Sequence, residues 1–484
     1  MPDLVIKQTP IPGLLIISLD IRADTRGWFK ENWQRQKMVD RGLPDFAPVQ
    51  NNISFNNRVG ATRGIHAEPW DKLVSLATGR VFGAWVDLRR GDGFGRCFTA
   101  ELGPETAIFV PRGVGNAFQT LAEQTAYSYL VNDHWTPAAK DAYTFVNLAD
   151  ETLAINWPIP LDHAELSEAD KTHPRLADVR PLEPKKTLII GATGQLGRAL
   201  IKAIPTAVPI TRTTLDLANP ESVAAFDFGS YDIVINAAAY TKVDAAETED
   251  GRRAAWAVNV GGVGALVDAA RKSRFTLVHI SSDYVFDGAH AVHSEAEPFS
   301  PLGVYGQTKA ASDALVGSLP AHYVLRTSWV VGDGHNFVRT MATLADRGVN
   351  PDVVDDQIGR LSFTAEISRA IVHLLEIEAP YGTYNISNDG DPMTWAGIAQ
   401  SIFETRGRDA ASVRGVTAAE YAAGKSLAPR PRHSVLSLDK IISYGFQPAD
   451  AMTQLQAYLS TLTVEKPGWD PAGRPGAAHE RRAH

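Results

Sequence analysis

Cysteine is nearly absent: Cys97 is the only one in 484 residues. No intrachain disulfide and no four-thiolate metal site can be built from it, and the scarcity fits a reducing compartment. No apolar run approaches the length of about 18 residues that suggests a membrane-spanning helix. The opening Met-Pro-Asp-Leu-Val-Ile-Lys offers neither the basic stretch nor the continuous apolar segment of an export signal, so the expected location is cytoplasmic. Basic residues are not in excess either: 47 Lys and Arg stand against 55 Asp and Glu, a net charge of −8. That balance argues against nucleic acid or an acidic membrane as the main partner, and points to a small molecule held by local polar groups. No internal repeat is evident.

The chain does show a change of period. A length of 484 residues predicts two or three domains with sizeable cores. Between Asp71 and Leu130, short apolar segments alternate with turn signals such as Thr78-Gly-Arg, Arg90-Gly-Asp-Gly and Pro111-Arg-Gly, the spacing of antiparallel strands. Later, buried runs at Thr187–Ile190, Asp232–Asn236, Phe275–Ile280 and His322–Arg326 alternate with helical stretches such as Gly251–Ser273, as in a parallel sheet with crossover helices. The spacing divides the chain into an all-β domain over 1–178, an exposed two-proline linker over 179–185 and an α/β domain over 186–463. The stretch 464–484 is too poor in apolar residues to order itself and is expected to be a disordered tail.

In the second domain, Gly191, Gly194 and Gly197 follow an apolar strand and precede a helix start, where a backbone free of side chains can approach a pyrophosphate. The same spacing serves any tight strand-to-helix turn. About 20 residues on, where an acid would select NAD, the chain has Thr211 and Arg212, which favours NADPH; Asp216 close by leaves NADH possible. Tyr305 and Lys309 are four residues apart, one above the other on a helix. A cation there is expected to lower the phenol's pKa, making Tyr305 a general acid for a carbonyl receiving hydride. Ser282 lies just past a buried strand and can orient that carbonyl.

The first domain carries Arg63-Gly-Ile-His66, then Lys72, then Tyr129 in an alternating strand. Proton abstraction beside a ketone needs a base, a positive group for the enolate and an acid on the opposite face, and His66, Lys72 and Tyr129 supply those three. Taken singly, each is as well explained as a core or surface residue.

At this point the sequence resembles known families. Residues 186–463 look like the extended short-chain dehydrogenase/reductases, and within them the dTDP-4-dehydrorhamnose reductases. The resemblance rests on Gly191-Ala-Thr-Gly-Gln-Leu-Gly197, Asn236-Ala-Ala-Ala-Tyr-Thr-Lys-Val-Asp-Ala-Ala-Glu247, Ser282-Asp-Tyr-Val-Phe-Asp-Gly288, Tyr305 with Lys309, Arg326-Thr-Ser-Trp329, Asn336-Phe-Val and Asp356-Gln-Ile-Gly359. It implies a doubly wound Rossmann sheet with a small C-terminal substrate subdomain. It also implies a catalytic Ser282, Tyr305 and Lys309, with serine standing where threonine is common. Cofactor contacts are implied at Gly191, Thr193, Gly194, Gln195, Leu196, Gly197, Arg212, Asp216, Ala237, Ala238, Tyr240, Tyr305 and Lys309, and substrate contacts at Trp329 and Arg430. Arg360-Leu-Ser362 departs from the usual Pro-Thr after the glycine.

Residues 1–175 look like the dTDP-4-dehydrorhamnose 3,5-epimerases, cupin-type jelly rolls that dimerise. The match runs through Asp24-Thr-Arg-Gly-Trp-Phe-Lys-Glu31, Gln50-Asn-Asn-Ile-Ser, Arg63-Gly-Ile-His66, Lys72-Leu-Val, Val86-Asp-Leu-Arg89, Pro111-Arg-Gly, Ile155-Asn-Trp-Pro158 and Leu166-Ser-Glu-Ala-Asp170. The resemblance implies His66 as base with Asp170 as its partner, Lys72 at the enolate and Tyr129 as acid. Arg26, Glu31, Gln50, Asn52, Arg63 and Asn116 would surround the substrate, and no metal is implied. Five positions depart from the family pattern: Asn116 replaces a histidine, Gly83 a common aspartate, Ala67 and Glu68 the tyrosine and glutamine of the usual His-Tyr-Gln, and Trp135 a tyrosine. Positions 83 and 116 are expected to interact, as an acid-histidine pair lost together.

The two resemblances describe consecutive reactions on one sugar nucleotide, in chain order. The expectation is a bifunctional enzyme making dTDP-L-rhamnose, dimeric through its first domain. Two alternatives stand: the same chemistry on a UDP-linked or other deoxysugar with inversion at one carbon, or a silent cupin binding module fused to an active reductase.

Overall fold

Strand Thr125–Val131 illustrates how the first unit is built, because Tyr127, Tyr129 and Val131 turn one way and Ser128 and Leu130 the other. In the computed structural model, which describes residues 4–183 and 186–463, it lies in a six-stranded antiparallel sheet. The order is Val5–Gln8, Leu15–Ser18, Thr106–Val110, Lys72–Thr78, Thr125–Val131, Gln50–Asn56. A second antiparallel sheet runs Thr144–Phe145, Thr62–Ala67, Val114–Thr120, Val81–Asp87, Cys97–Leu102. Val74, Leu76, Ile108 and Tyr127 of the first sheet pack on Val81, Trp85, Leu102 and Phe118 of the second, so the core lies between the sheets as in a jelly-roll sandwich. The outer face of the second sheet is covered by Val146, Leu148, Leu153, Leu176 and Val179.

The chain divides into two compact units between Pro184 and Lys185. The segment expected to be an exposed linker is anchored as far as Leu182. Leu176 and Val179 are buried, and Leu182 donates its N–H to the Leu88 carbonyl at 2.7 Å and accepts from Arg90 N–H at 3.0 Å. The prolines signalled an irregular path, but apolar Leu176, Val179 and Leu182 give that path a surface to pack on. The expected tail at 464–484 lies outside the described residues.

The second unit is a six-stranded, wholly parallel sheet in the order Val208–Ile210, Lys186–Ile190, Tyr231–Asn236, Thr276–Ser282, His322–Thr327, Gly382–Asn385. Its strands are apolar on both faces because helices cover both. Leu196, Leu200, Ile367 and Ile371 pack on one side, and Val263, Leu266, Val267 and Val316 on the other. A smaller subdomain has its own core of Val338, Met341, Ile398, Ile402, Phe403 and Leu455, from helices Phe337–Asp346, Trp395–Thr405 and Ala451–Thr461. Strand order reverses between Lys186–Ile190 and Tyr231–Asn236, and the crevice beyond the carboxyl ends of such strands is where α/β sheets bind ligands.

Candidate active sites

In the first unit, His66, Asn116 and Trp85 are direct cross-strand partners in one row, all facing the inside of the sandwich. His66 Nε2 is 2.8 Å from Asp170 Oδ1. Asp170 sits in the short helix Glu168–Thr172, where the Ser167 hydroxyl donates to its other oxygen at 2.9 Å. Burial pushes the Asp170 pKa up, but the bonds from His66 and Ser167 outweigh it and the net shift is downward. An ionised Asp170 accepts the Nε2 hydrogen, which leaves the imidazole lone pair on Nδ1.

A second histidine, His173, places its Nε2 3.3 Å from the same Asp170 oxygen and stacks on Phe145. Burial, then the nearby His66, push its pKa down. Ligand atoms of His66, Asp170 and His173 lie within 4.8 Å of one another, a set that could hold a cation, although Asp170 is already bonded to His66 and Ser167.

Lys72 is buried in the facing sheet, and its Nζ lies 5.7 Å from the centre of the Tyr129 ring. It is ion-paired at 2.7 Å with Glu68, whose second oxygen accepts the Trp70 indole N–H at 2.6 Å. Burial, then the Glu68 carboxylate, push the Tyr129 pKa up, and Arg63 opposes them. Asn52 is the direct neighbour of Tyr129, and the Gln50 amide donates to Asn52 at 2.8 Å. Gln50 also accepts the backbone N–H of Trp135 at 3.1 Å.

Two expected residues are not gathered here. Arg26 lies at the turn of the exposed hairpin Ile21–Asp24/Gly27–Lys30 and pairs with Asp24, while Glu31 pairs with Lys37.

The expectation that positions 83 and 116 touch needs correction. Gly83 is paired with Phe118, and the link to Asn116 runs through Trp85. A Cβ on Gly83 would stand 2.2 Å from the Trp85 ring, which occupies that space and donates its N–H to Asn116 Oδ1 at 2.9 Å. Tyr127 donates to the same oxygen at 3.0 Å. Indole N–H can only donate, so this contact fixes the amide's orientation.

In the second unit, Gly191 has φ +80°, and a Cβ there would meet the Ala238 backbone at 2.7 Å. Gly197 similarly makes room for the Gly191 carbonyl. The strand ends at Gly191 and at Ala237–Ala238 thus pack together at the sheet's reversal. Thr193 and Gly194 are exposed ahead of helix Gln195–Ala203, in which Leu196 is buried, and the Gln195 amide donates to the His335 carbonyl at 3.0 Å. Arg212 is exposed and paired with Asp216 at 3.2 Å. Tyr240 is held at both backbone groups by Asn259, which lies in a π-turn of the helical stretch Glu249–Ser273 and also bonds Thr308.

Ser282 ends strand Thr276–Ser282 close enough to the phenol of Tyr305 to favour its ionised form, while its hydroxyl donates to Asp283 at 2.9 Å. Tyr305 and Lys309 share helix Val304–Val316, as the spacing required. The expected lowering of the Tyr305 pKa does not occur: burial, then the Asp283 carboxylate, push it up. The physical reason is the direction of Lys309, whose Nζ donates to the Ile280 carbonyl at 2.7 Å and contacts His279 at 3.1 Å. Burial lowers Lys309 itself to about 8 and raises Asp283 to about 6.

Arg430 grips Asp244 at 2.8 and 2.9 Å and lies near Tyr284, whose pKa burial raises and Arg430 lowers, and the Tyr284 ring meets Tyr305 edge-on at 5.5 Å. Trp329, with φ +44°, stacks on Trp395 at 3.7 Å in the smaller subdomain, and Leu361 of the departing Arg360-Leu-Ser362 segment enters that core. Sequence reasoning missed His173, Trp85, Tyr284 and His279, and saw Glu68 only as a departure. Of these, only the His-x-Glu of positions 66 and 68, facing Lys72 four residues on, carried a readable signal.

Comparison with known proteins covers both units. Residues 185–464, more than half of the chain, match the family described as RmlD substrate binding domain, and residues 8–178 match dTDP-4-dehydrorhamnose 3,5-epimerase. A Streptococcus pyogenes protein described as an RmlC homolog is 52% identical over 180 residues, covering 36% of this chain and 90% of its own. A dTDP-4-dehydrorhamnose reductase from Aggregatibacter actinomycetemcomitans is 36% identical over 297 residues, covering 56% of this chain and 99% of its own. The crystal structure of a Bacillus anthracis dTDP-4-dehydrorhamnose reductase in complex with NADP superposes with a TM-score of 0.52 at 31% identity, covering 57% of this chain and 98% of its own. The chain belongs to the RmlD substrate binding domain family and carries, ahead of that reductase unit, a unit of the dTDP-4-dehydrorhamnose 3,5-epimerase family.

Proposed function

We propose that this chain performs two successive steps on one nucleotide sugar. The first unit inverts carbons 3 and 5 of dTDP-4-dehydro-6-deoxy-glucose, and the second reduces the 4-keto group of the product to give dTDP-L-rhamnose. The observation that carries the reading is the opposition of His66 and Tyr129 on the two facing sheets, with Lys72 beside the tyrosine. Inversion needs a base and an acid on opposite faces of one carbon. His66 Nδ1 takes the proton next to the ketone while Asp170 stabilises the imidazolium, Lys72 Nζ donates to the enolate oxygen, and the Tyr129 phenol returns a proton from the other side. Glu68 and burial keep that phenol protonated. The Asn116 amide nitrogen, left over once Trp85 and Tyr127 have taken its oxygen, donates to the sugar.

NADPH supplies the hydride when bound to the second unit. The glycine turn at Gly191–Gly197, the adjoining Ala237–Ala238 strand end and exposed Arg212 are suited to its pyrophosphate and 2′-phosphate. The NADP complex of the Bacillus anthracis relative supports that choice. Tyr305 gives its proton to the carbon 4 oxygen, Ser282 orients that oxygen, and Lys309, turned to the Ile280 carbonyl rather than to the phenol, is assigned to the nicotinamide ribose. Arg430 and Trp329 are assigned to the substrate. Joining both activities in one chain raises the local concentration of the intermediate for the second step.

We also infer a homodimer through the first unit. Trp28, Phe29, Ile53 and Phe55 are exposed there at 44, 69, 65 and 56%, large apolar side chains that water alone leaves unfavourable. Pairing through them would account for Arg26 and Glu31, which flank the exposed aromatic hairpin and find no place beside His66 within one chain. Among the described residues no helix is long and apolar enough to cross a membrane. The reducing, NADPH-supplied cytoplasm is the setting this chemistry requires.

The test is a one-pot assay of the full chain with dTDP-4-dehydro-6-deoxy-glucose in deuterated buffer, with and without NADPH. Deuterium at both carbons together with NADPH-dependent formation of dTDP-L-rhamnose is expected. Exchange at one carbon alone would reassign the substrate, and no exchange would make the first unit a binding module.

A further inference from the structure

The buried surroundings of Lys309 contain one titratable group that the reduction as described does not use. His279 is 1% exposed on strand Thr276–Ser282 and meets three polar partners. Its Nδ1 faces the Asn236 side chain at 3.2 Å. The Asn236 oxygen is already accepting the backbone N–H of Ala238 at 3.1 Å, so the group turned to His279 is the amide NH2, which can only donate. On the other side, His279 Nε2 lies 3.2 Å from the Ser312 hydroxyl, whose hydrogen is given to the Lys309 carbonyl at 2.8 Å. That oxygen is therefore free to accept. Two independent neighbours thus assign the same tautomer, with Nδ1 bare and Nε2 carrying the hydrogen. The Nε2–H then points also at Lys309 Nζ, 3.1 Å away. An amine can accept that hydrogen; an ammonium cannot.

We propose that His279 is a positioning residue that presents its Nε2–H to Lys309 Nζ, weakening the lysine's hold on a proton and tying its charge to the Ala238 loop through Asn236. The proposal rests on the reductase reading for its consequence in catalysis, though the tautomer and the lysine's titration can be measured without substrate. The other charged or titratable groups around Lys309 are Asp313 on its own helix, ion-paired at 3.0 Å with Arg326 of the adjacent strand, Tyr305 one turn away, and Asp283 beyond Tyr305. From the helical stretch Glu249–Ser273, the neutral Asn259 bonds Thr308, the residue preceding Lys309. Burial opposes the ammonium and Asp313 favours it, and on this proposal the His279 N–H adds to the effect of burial.

The experiment is long-range 1H–15N NMR of the full chain labelled at histidine, with His279 assigned by its loss in His279→Gln. In parallel, the Lys309 side chain is titrated by 13C NMR in wild type and variant, assigned by its loss in Lys309→Met. The expected results are an Nε2–H tautomer for His279 and a Lys309 midpoint that moves up by about one pH unit in His279→Gln, whose amide oxygen can accept from the ammonium. An Nδ1–H tautomer, or an unmoved Lys309 midpoint in a folded variant, would overturn the proposal. Should His279→Gln not fold, the wild-type tautomer, assigned by elimination from the other histidines, still decides it. An enzyme lacking reductase activity but showing both results would sink the reductase reading alone.

Discussion

The two units differ most in how they hold the base of the first and the proton donor of the second. In the first, the base is half-exposed and its character is set by a bonded partner, Asp170, itself braced by Ser167. In the second, Lys309, Asp283 and His279 are deeply buried and Tyr305 is half-buried, and desolvation is the largest cause of the shift in each. A partner can be removed by one substitution, whereas desolvation belongs to the whole surrounding fold. The first site should therefore fail by losing single side chains, and the second should in addition respond to bulk pH.

The sharpest way to separate the units is a reciprocal pair of variants. Tyr305→Phe is expected to lower NADPH-dependent reduction by about 10²–10⁴-fold while leaving solvent deuterium exchange into the keto sugar intact. His66→Ala should do the reverse when the reductase is given the epimerised substrate, and joint loss in either variant would break the division of labour. Asp170→Asn, which keeps shape but removes the charge that fixes the His66 tautomer, should slow exchange by about 10²-fold with reduction unaffected.

The third test is pH. Lys309 is lowered to about 8, so its ammonium is lost as pH rises through that value and reduction should decline there, while exchange does not follow. Asp170 behaves with the opposite sign. Its pKa is depressed, so its contribution to stability is present above the ordinary carboxylate value of 3.8 and disappears as pH falls below it, which acid unfolding of the first unit should register.

Smaller effects probe packing. Gly83→Ala would force a methyl against the Trp85 ring and should cost about 1–3 kcal/mol in the first unit, with part regained in Gly83→Ala/Trp85→Phe, as measured by denaturant melts. Asp283, raised to about 6 by burial, keeps its proton between pH 3.8 and 6 when folded and loses it when unfolded, so it destabilises the second unit above pH 6. Asp283→Asn should raise stability at pH 8 by on the order of 1 kcal/mol, and an unchanged or lower melting temperature would contradict this.

Much of the architecture could be read directly. Parallel strands covered on both faces leave unbroken apolar runs such as Leu188–Ile190, and strands of a sandwich leave alternation. Tyr305 and Lys309 came from helical spacing. Asp170 did not, because it lies 104 residues from His66 and only the resemblance joined them. Where reasoning went astray, direction was missing. Spacing put Lys309 on the same helix face as Tyr305 but could not show its ammonium turned to the Ile280 carbonyl. Nor could a lone histidine in Leu277-Val-His-Ile be told from core filling. Trp85 reads as an ordinary buried aromatic, and that its ring fills the space beside Gly83 depends on a rotamer.

The anchored segment at Leu182 bears on how the first unit could be inherited or expressed alone. A boundary at residue 178 would leave the Leu88 carbonyl and the Arg90 N–H without their partner and strip Val179 from the sheet it covers. A polypeptide ending after Glu183 keeps both bonds, so the first unit cut out on its own should include these five residues beyond the enzyme motif, which belong to its packing rather than to that of the second unit.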